Sequence, residues 1–146
     1  MFRIRRFERG DLAEVMALVG RTLGENYDPS VYLHLANSWP EAFIVATRGR
    51  RIVGFSLGSV HEGTVARLLM LAVHPAYRRR AVGTHLLEVF LAEVKRKGMT
   101  GIVLEVRVRN KDAIMFYQHH GFSIRGLLER YYTSGDDAYT MERAIP

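Results

Sequence analysis

The feature that most restricts this chain is a change of period around residue 74. Arg67-Leu68-Leu69-Met70-Leu71-Ala72-Val73 is a strand-like apolar run, whereas His85-Leu86-Leu87-Glu88-Val89-Phe90-Leu91 carries the spacing of a helix. Between them lies His74-Pro75-Ala76-Tyr77-Arg78-Arg79-Arg80-Ala81-Val82-Gly83-Thr84. A strand, then a turn crowded with arginines and small residues, then a helix, is how a chain builds an anion site. The helix start offers unpaired backbone N–H groups and partial positive charge, and small residues let a phosphate come close. Arginines add permanent charge suited to phosphate oxygens. The segment is not a nucleotide-hydrolysing phosphate loop, because Gly-x-x-x-x-Gly-Lys-Ser/Thr occurs nowhere, and it lacks the three spaced glycines of a dinucleotide fingerprint.

The same reading extends along the chain. Phe2 to Arg6 forms a short strand. Asp11-Leu12-Ala13-Glu14 resembles a capping box, opening a helix whose apolar face is Leu12, Val15, Met16 and Val19. Asp28-Pro29 starts a second helix, which ends before Trp39-Pro40. Ala42–Thr47 and Arg51–Val60 read as a hairpin around Arg48-Gly49-Arg50, followed by a turn at His61-Glu62-Gly63 and a strand from Thr64 to Val73. The central helix buries a stripe of Val82, Leu86, Val89, Phe90 and Val94, and stops at Lys95-Arg96-Lys97-Gly98. Gly101–Val108 is a buried-looking strand. Asn110 caps a helix to His120, and Gly121 ends it. Strands around Phe122–Glu129 and Asp136–Arg143 complete the order β-α-α-β-β-β-α-β-α-β-β. This is an α/β (α+β) chain with a mixed, mostly antiparallel sheet of about seven strands and about four helices, spanning residues 1–146 as one domain.

Composition narrows the function. With no cysteine there is no disulfide framework and no thiol nucleophile, so an acyl group cannot be parked on one. A formal charge of +6, from 21 basic and 15 acidic residues, suits polyanionic partners such as a phosphorylated cofactor, and it is compatible with ribosome proximity. No nucleic-acid signature accompanies it. No apolar run reaches membrane-spanning length and Met1-Phe2-Arg3-Ile4-Arg5 is no signal peptide, so the expected location is the cytoplasm and no membrane partner is expected. His119-His120 lacks companions at ligand spacing, and no metal is expected. His74, before Pro75, reads as a turn residue.

Four segments carry a family resemblance. Arg78-Arg79-Arg80-Ala81-Val82-Gly83 resembles the Arg/Gln-x-x-Gly-x-Gly/Ala pyrophosphate loop of the GNAT acetyltransferases, with Ala81 in place of the first glycine. Leu104-Glu105-Val106-Arg107-Val108-Arg109-Asn110 through Tyr117 to Gly121-Phe122 is similar to the Leu-Glu-Val-Arg-x-x-Asn block of that superfamily. Tyr131-Tyr132-Thr133-Ser134-Gly135-Asp136-Asp137-Ala138 is similar to the ending of the protein N-terminal acetyltransferases, and Leu23-Gly24-Glu25-Asn26-Tyr27 resembles the substrate loop of NatA-type catalytic subunits. The resemblance, which also covers ribosomal-protein alanine acetyltransferases, implies transfer of acetyl from acetyl-CoA to protein N-termini by a monomer or weak dimer. It implies cofactor contacts from the backbone of Leu71, Ala72 and Val73, from Arg78, Arg79, Arg80, Ala81, Val82, Gly83 and Thr84, and from the Asn110 side chain. Tyr131 and Tyr132 would close over the first residues of a peptide, with Glu25 and Tyr27 on the segment that resembles the substrate loop.

Attack on a thioester needs a neutral amine, and an α-amino group (pKa about 8) supplies far more of it at pH 7 than a lysine (about 10.4). Strand alternation turns Glu105 away from Leu104 and Val106, and the resemblance places a base there; the competing expectation is an ion pair with Arg107. Glu25 is the second carboxylate, holding the ammonium or sharing the base role through water. Tyr117 is the expected proton donor to the departing thiolate, with a core tyrosine as the alternative. Ala81 is expected at negative φ, already inside the helix that follows. Two other functions remain open: acetylation of a small-molecule amine by the same fold, and a non-catalytic acyl-CoA-binding or RNA-associated module.

Overall fold

The computed structural model describes residues 1–24, 27–79 and 81–146, so the expectations for Glu25 and Arg80 lie outside the described residues. The elements are β1 (Arg3–Arg6), α1 (Leu12–Thr22), α2 (Pro29–Ser38), β2 (Phe43–Arg48), β3 (Arg51–Glu62), β4 (Val65–Val73), α3 (Val82–Arg96), β5 (Gly101–Arg107), α4 (Lys111–His119), β6 (Ser123–Leu128) and β7 (Ala138–Ala144). Short 3-10 turns precede α1, β2 and the cofactor-loop segment. The expected order is therefore the observed one. Strand pairing runs β1-β2-β3-β4-β5-β7-β6; β1–β2, β2–β3, β5–β7 and β6–β7 are antiparallel and β4–β5 is parallel.

The chain divides into two compact units. The first holds Met1–Ser59 and Leu68–Lys97, the second Val60–Arg67 and Gly98–Pro146. In unit 1 the parity of β2 sorts its two packing faces. Phe43 and Val45 join Phe55, Leu57, Met70 and Ala72 in a core closed by Val15, Leu18 and Val19 of α1 and Tyr32 of α2. Ile44 and Ala46 point the other way, onto Val53 and onto Val82 and Leu86 of α3. The close seat of α3 depends on two glycines of β3. A Cβ at Gly58 would lie 2.3 Å from the Phe90 ring, and one at Gly54 would lie 3.0 Å from the Ala72 carbonyl and 3.1 Å from Val82.

The helix faces are broader than the sequence stripes. Leu18 and Leu87 are buried along with Val15, Val19, Val82, Leu86, Phe90 and Val94, while the expected Leu12, Met16 and Val89 are half-buried, because each helix covers a strip of sheet wider than a single ridge. The capping box at Asp11 and Glu14 is not formed. Asp11 makes no side-chain cap; its carboxylate accepts two bonds from the Arg5 guanidinium, at 2.8 and 2.9 Å, and one from the Glu8 N–H at 2.8 Å. Two charge-assisted bonds outweigh the single bond a cap would make. Glu14 reaches instead to the Ile52 N–H at 2.9 Å, tying α1 to the start of β3. The α2 start is as expected, with Asp28 accepting from the Ser30 N–H and proline in the first turn.

Unit 2 is built on β5, in which Ile102, Leu104 and Val106 are buried and the residues between them are half-buried. The β4–β5 ladder aligns Val65, Ala66 and Arg67 with Gly101, Ile102 and Val103, and β7 flanks β5 over its whole length. Ile114 and Tyr117 of α4 complete this core with Phe122 and Met141. Asn110 caps α4 by accepting from the Ala113 N–H at 3.2 Å, as expected.

Candidate active site

In unit 1, β4 ends at Val73 and the chain turns through Pro75–Tyr77 into α3. His74 is a turn residue: its Nδ1 accepts from the Ala76 N–H at 3.1 Å. Its pKa is lowered, by loss of solvent and by Arg21, Arg51 and Arg78 nearby. Arg78 is exposed and folds its Nε back onto the Val73 carbonyl at 3.3 Å, so one of the expected cofactor-facing carbonyls is already engaged by one of the expected cofactor-facing arginines.

The expectation for Ala81 is overturned. Ala81 is the N-cap of α3 at φ 64°, ψ 12°, in left-handed geometry, and Arg79 also has φ 64°. The residue therefore lies outside the helix and keeps the conformation that the family's glycine adopts freely. The physical reason is the sharp reversal needed to start α3: one left-handed residue followed by right-handed ones turns successive N–H groups to the same side. No side chain caps α3, and its first backbone bond runs from the His85 N–H to the Ala81 carbonyl at 3.0 Å. The N–H groups of Val82, Gly83 and Thr84 thus form an uncapped concave donor set.

Unit 2 contains a second cluster. Glu105 projects from β5 on the face opposite Leu104 and Val106, as strand alternation requires. It is ion-paired, and the partner is Arg67 of β4 rather than the expected alternative Arg107. The Arg67 Nε donates to Oε1 at 2.9 Å, Nη2 donates to the same oxygen, and Nη2 also donates to the Tyr131 hydroxyl at 2.8 Å. Arg107, next on the same face of β5, is engaged elsewhere. Its Nε donates to Asp136 at 3.2 Å and its guanidinium lies 4.0 Å from the Tyr132 ring centre.

The two tyrosines sit in the β6–β7 connection, which carries its own set of ties. Asp136 accepts from Arg107, from Arg109 at 2.8 Å and from Ser134 at 3.1 Å, and these bonds, Arg109 first, hold its carboxyl below the usual range. Asp137 accepts from the Arg130 N–H at 2.8 Å, where Arg130 takes φ 50°, and the Gly135 N–H donates to the Tyr132 carbonyl at 2.9 Å. The rings of Tyr131 and Tyr132 meet edge to face at 5.0 Å. Tyr117 is almost wholly buried; loss of solvent, with Tyr132 second, pushes its phenol well above the usual range, so it keeps its proton. Tyr27 in unit 1 is exposed, its ring at 6.2 Å from that of Tyr32.

A family model described as the acetyltransferase (GNAT) family matches residues 12–122. The chain belongs to the GNAT acetyltransferase family. The N-alpha-acetyltransferase 30 of Schizosaccharomyces pombe is 36% identical over 88% of this chain and 88% of its own length. The protein of the same name from Xenopus laevis is 32% identical over 90% of this chain, which spans only half of that longer relative. The solved structure of Ard1 from Thermoplasma volcanium superimposes with a TM-score of 0.95 at 38% identity, covering 99% and 98% of the two chains.

GNAT enzymes use an acyl-CoA, and the unit 1 loop suits its pyrophosphate: an uncapped left-handed-to-helical turn with exposed Arg78 and Arg79 beside it. Among the described residues there is no group of acidic, histidine or cysteine side chains that would hold a metal. Arg67 was not picked out from the sequence, whereas Arg107 was expected only as an alternative partner of Glu105 and Asp136 only as part of the family-resembling segment. A signal for the first was present: Arg67 shares the parity of Leu69 and Leu71 in an apolar strand, and a charge inside such a strand needs a partner.

Proposed function

We propose that this chain transfers the acetyl group of acetyl-CoA to the α-amine at the N-terminus of proteins, directly and without an acetylated enzyme. When bound, acetyl-CoA supplies an activated thioester carbonyl that a neutral amine can attack. Val82, Gly83 and Thr84 would hold its pyrophosphate through backbone N–H groups, with Arg78, Arg79 and Arg80 adding charge, while Leu71, Ala72, Val73 and Asn110 would meet the pantetheine arm. Glu105 would take a proton from the amine, with Glu25 a candidate to share that role. Tyr117, which retains its proton, would donate a hydrogen bond from its Oη to the sulfur as negative charge develops there.

The observation that carries this reading is the pair of tyrosines tied down in unit 2. Arg67 fastens Tyr131 to Glu105, and Arg107 carries the Tyr132 ring. Two aromatic walls held this firmly suit the extended end of a polypeptide, and the names of the relatives point to the same substrate class. Tyr27, on the segment that resembles the substrate loop, would also contact the peptide. The enzyme would act in the cytoplasm, as a monomer or weak dimer, with ribosome proximity favoured by its basic charge.

The test is a pair of peptides incubated with labelled acetyl-CoA. A peptide with a free α-amine should be acetylated there, while the same sequence with a blocked N-terminus and free lysines should be a poor substrate. Equal acetylation of lysines on the blocked peptide would sink the reading.

A further inference from the structure

Glu105 carries a constraint that its role as a base does not explain. An isolated carboxylate would hold an incoming ammonium as an ion pair and raise its pKa, making the amine harder to deprotonate. Here the carboxylate already has a cation. Arg67 places Nε and Nη2 on the single oxygen Oε1, leaving Oε2 without a partner among the described residues. Both side chains are mostly withdrawn from solvent, 27% exposed for Arg67 and 14% for Glu105, so water screens their charges incompletely. The same Nη2 reaches the Tyr131 hydroxyl.

We propose that Arg67 is a positioning residue of this site: it fixes Glu105 with Oε2 free, fastens Tyr131 to the same guanidinium, and by its charge makes the seat accept a neutral amine in preference to an ammonium. The proposal rests on the reading of Glu105 as the base in amine acetylation. Three consequences follow from the geometry. The fork on Oε1 stops the carboxylate from rotating, so one oxygen is always presented as proton acceptor. The guanidinium cancels the attraction that would trap the amine protonated. Movement of Tyr131 over a peptide would pull on the group that orients Glu105, coupling substrate closure to the base.

The charged and titratable groups linked to Glu105 leave Arg67 as the source of this effect. On β5 Arg107 donates to Asp136, which also accepts from Arg109 of the segment after β5, so both guanidiniums are bonded to Asp136 and not to Glu105. On α4 Tyr117 keeps its proton, and the β6–β7 connection contributes the phenols of Tyr131 and Tyr132. Among the described residues Arg67 is therefore the cation bonded to Glu105, and its loss removes that compensation.

The experiment is a set of kcat–pH profiles for wild type, Arg67→Gln, Arg67→Lys and Tyr131→Phe, with a free-α-amine peptide and acetyl-CoA, alongside melting curves. Without the guanidinium the bound amine stays protonated to higher pH. Arg67→Gln should then move the acidic limb of kcat upward by about one unit and lower kcat near pH 7 by about tenfold or more. Arg67→Lys keeps the charge but loses the fork, so its limb should stay within a few tenths of a unit of wild type while kcat drops. Tyr131→Phe should raise KM for the peptide severalfold and leave the limb in place.

An Arg67→Gln profile that superimposes on wild type overturns the proposal. Should that variant fail to fold, a shift of a full unit in Arg67→Lys overturns it equally. If wild type ignores α-amine peptides but acetylates another amine, the function proposed above falls on its own, and the same profiles run with that amine still decide the role of Arg67.

Discussion

Unit 1 holds fourteen basic residues against eight acidic ones, whereas unit 2 holds seven of each, so the whole formal charge of +6 belongs to the unit that carries the cofactor loop. The two also use their charges differently. Around the loop Arg78 and Arg79 are exposed, with no carboxylate partner among the described residues, and the donors that matter are backbone N–H groups. In unit 2 the arginines of the tyrosine cluster are committed: Arg67 to Glu105, Arg107 and Arg109 to Asp136. A seat for a multiply charged phosphate gains from uncompensated cations and tolerates water. A seat for an amine that must lose a proton gains from balanced, oriented charges, because surplus of either sign would move the proton the wrong way.

The sharpest way to break this contrast is to mutate one side and measure the other. Glu105→Gln should lower turnover by about 10²–10⁴-fold if it is the general base, and leave acetyl-CoA affinity nearly intact. Neutralising Arg78, Arg79 and Arg80 together should do the reverse: weaker cofactor binding with a flatter salt dependence, and little change in saturated turnover. Calorimetric titration with acetyl-CoA at two salt concentrations, beside steady-state kinetics, separates the two. Loss of cofactor affinity in Glu105→Gln would show that the two functions are not divided in this way.

The contrast also marks where sequence reasoning worked. The eleven elements were legible because their periodicity and stop signals agree: Gly98 at φ 81° and Gly121 at φ 88° close the helices they were expected to close, and Asn110 does cap α4. Glu105 was legible through strand parity and family resemblance. What failed were the pairings. The partner of Asp11 lies six residues back across a turn, and that of Glu105 lies on another strand 38 residues away. Nothing in a local window ranks Arg67 above Arg107 as the partner of Glu105. The parallel β4–β5 register decides it, by bringing Arg67 beside Val103 on the strand that carries Glu105.

A smaller effect concerns Asp11, the buried carboxylate of unit 1 among the described residues. The hydrogen bonds from Arg5 hold Asp11 below its ordinary carboxylate range, with burial opposing and the Glu8 N–H assisting. A depressed carboxyl contributes stability that is complete above its unfolded value of about 3.9 and is lost as pH falls through the folded value. Asp11→Asn should therefore cost about 1–2 kcal/mol at pH 7, the half-exposed Arg5 keeping it modest. The gap to wild type should shrink as pH falls below about 4. Thermal melts at pH 7 and at a series of acidic values measure it, and a gap independent of pH would assign the effect to packing instead of charge.

The smallest effect tests the loop itself. Ala81 pays for its left-handed backbone with a Cβ that crowds its own carbonyl, a conformation glycine adopts without that penalty. Glycine is also better than alanine at an N-cap, where Ala81 sits with no side-chain bond to offer. Both terms have the same sign, partly offset by the greater freedom glycine gives the unfolded chain. Ala81→Gly should therefore stabilise the protein by up to about 1 kcal/mol, opposite to the loss expected had the residue lain inside the helix. The methyl group removed is on an exposed residue, and the Val82, Gly83 and Thr84 donors keep their geometry, so acetyl-CoA affinity should stay within about threefold of wild type, well under the 1.4 kcal/mol that a tenfold change represents. Chemical denaturation with and without acetyl-CoA reads both quantities on one sample. A destabilised Ala81→Gly would mean that the residue spends its time in right-handed geometry, and a tenfold gain in affinity would mean that the methyl stands in the path of the phosphate.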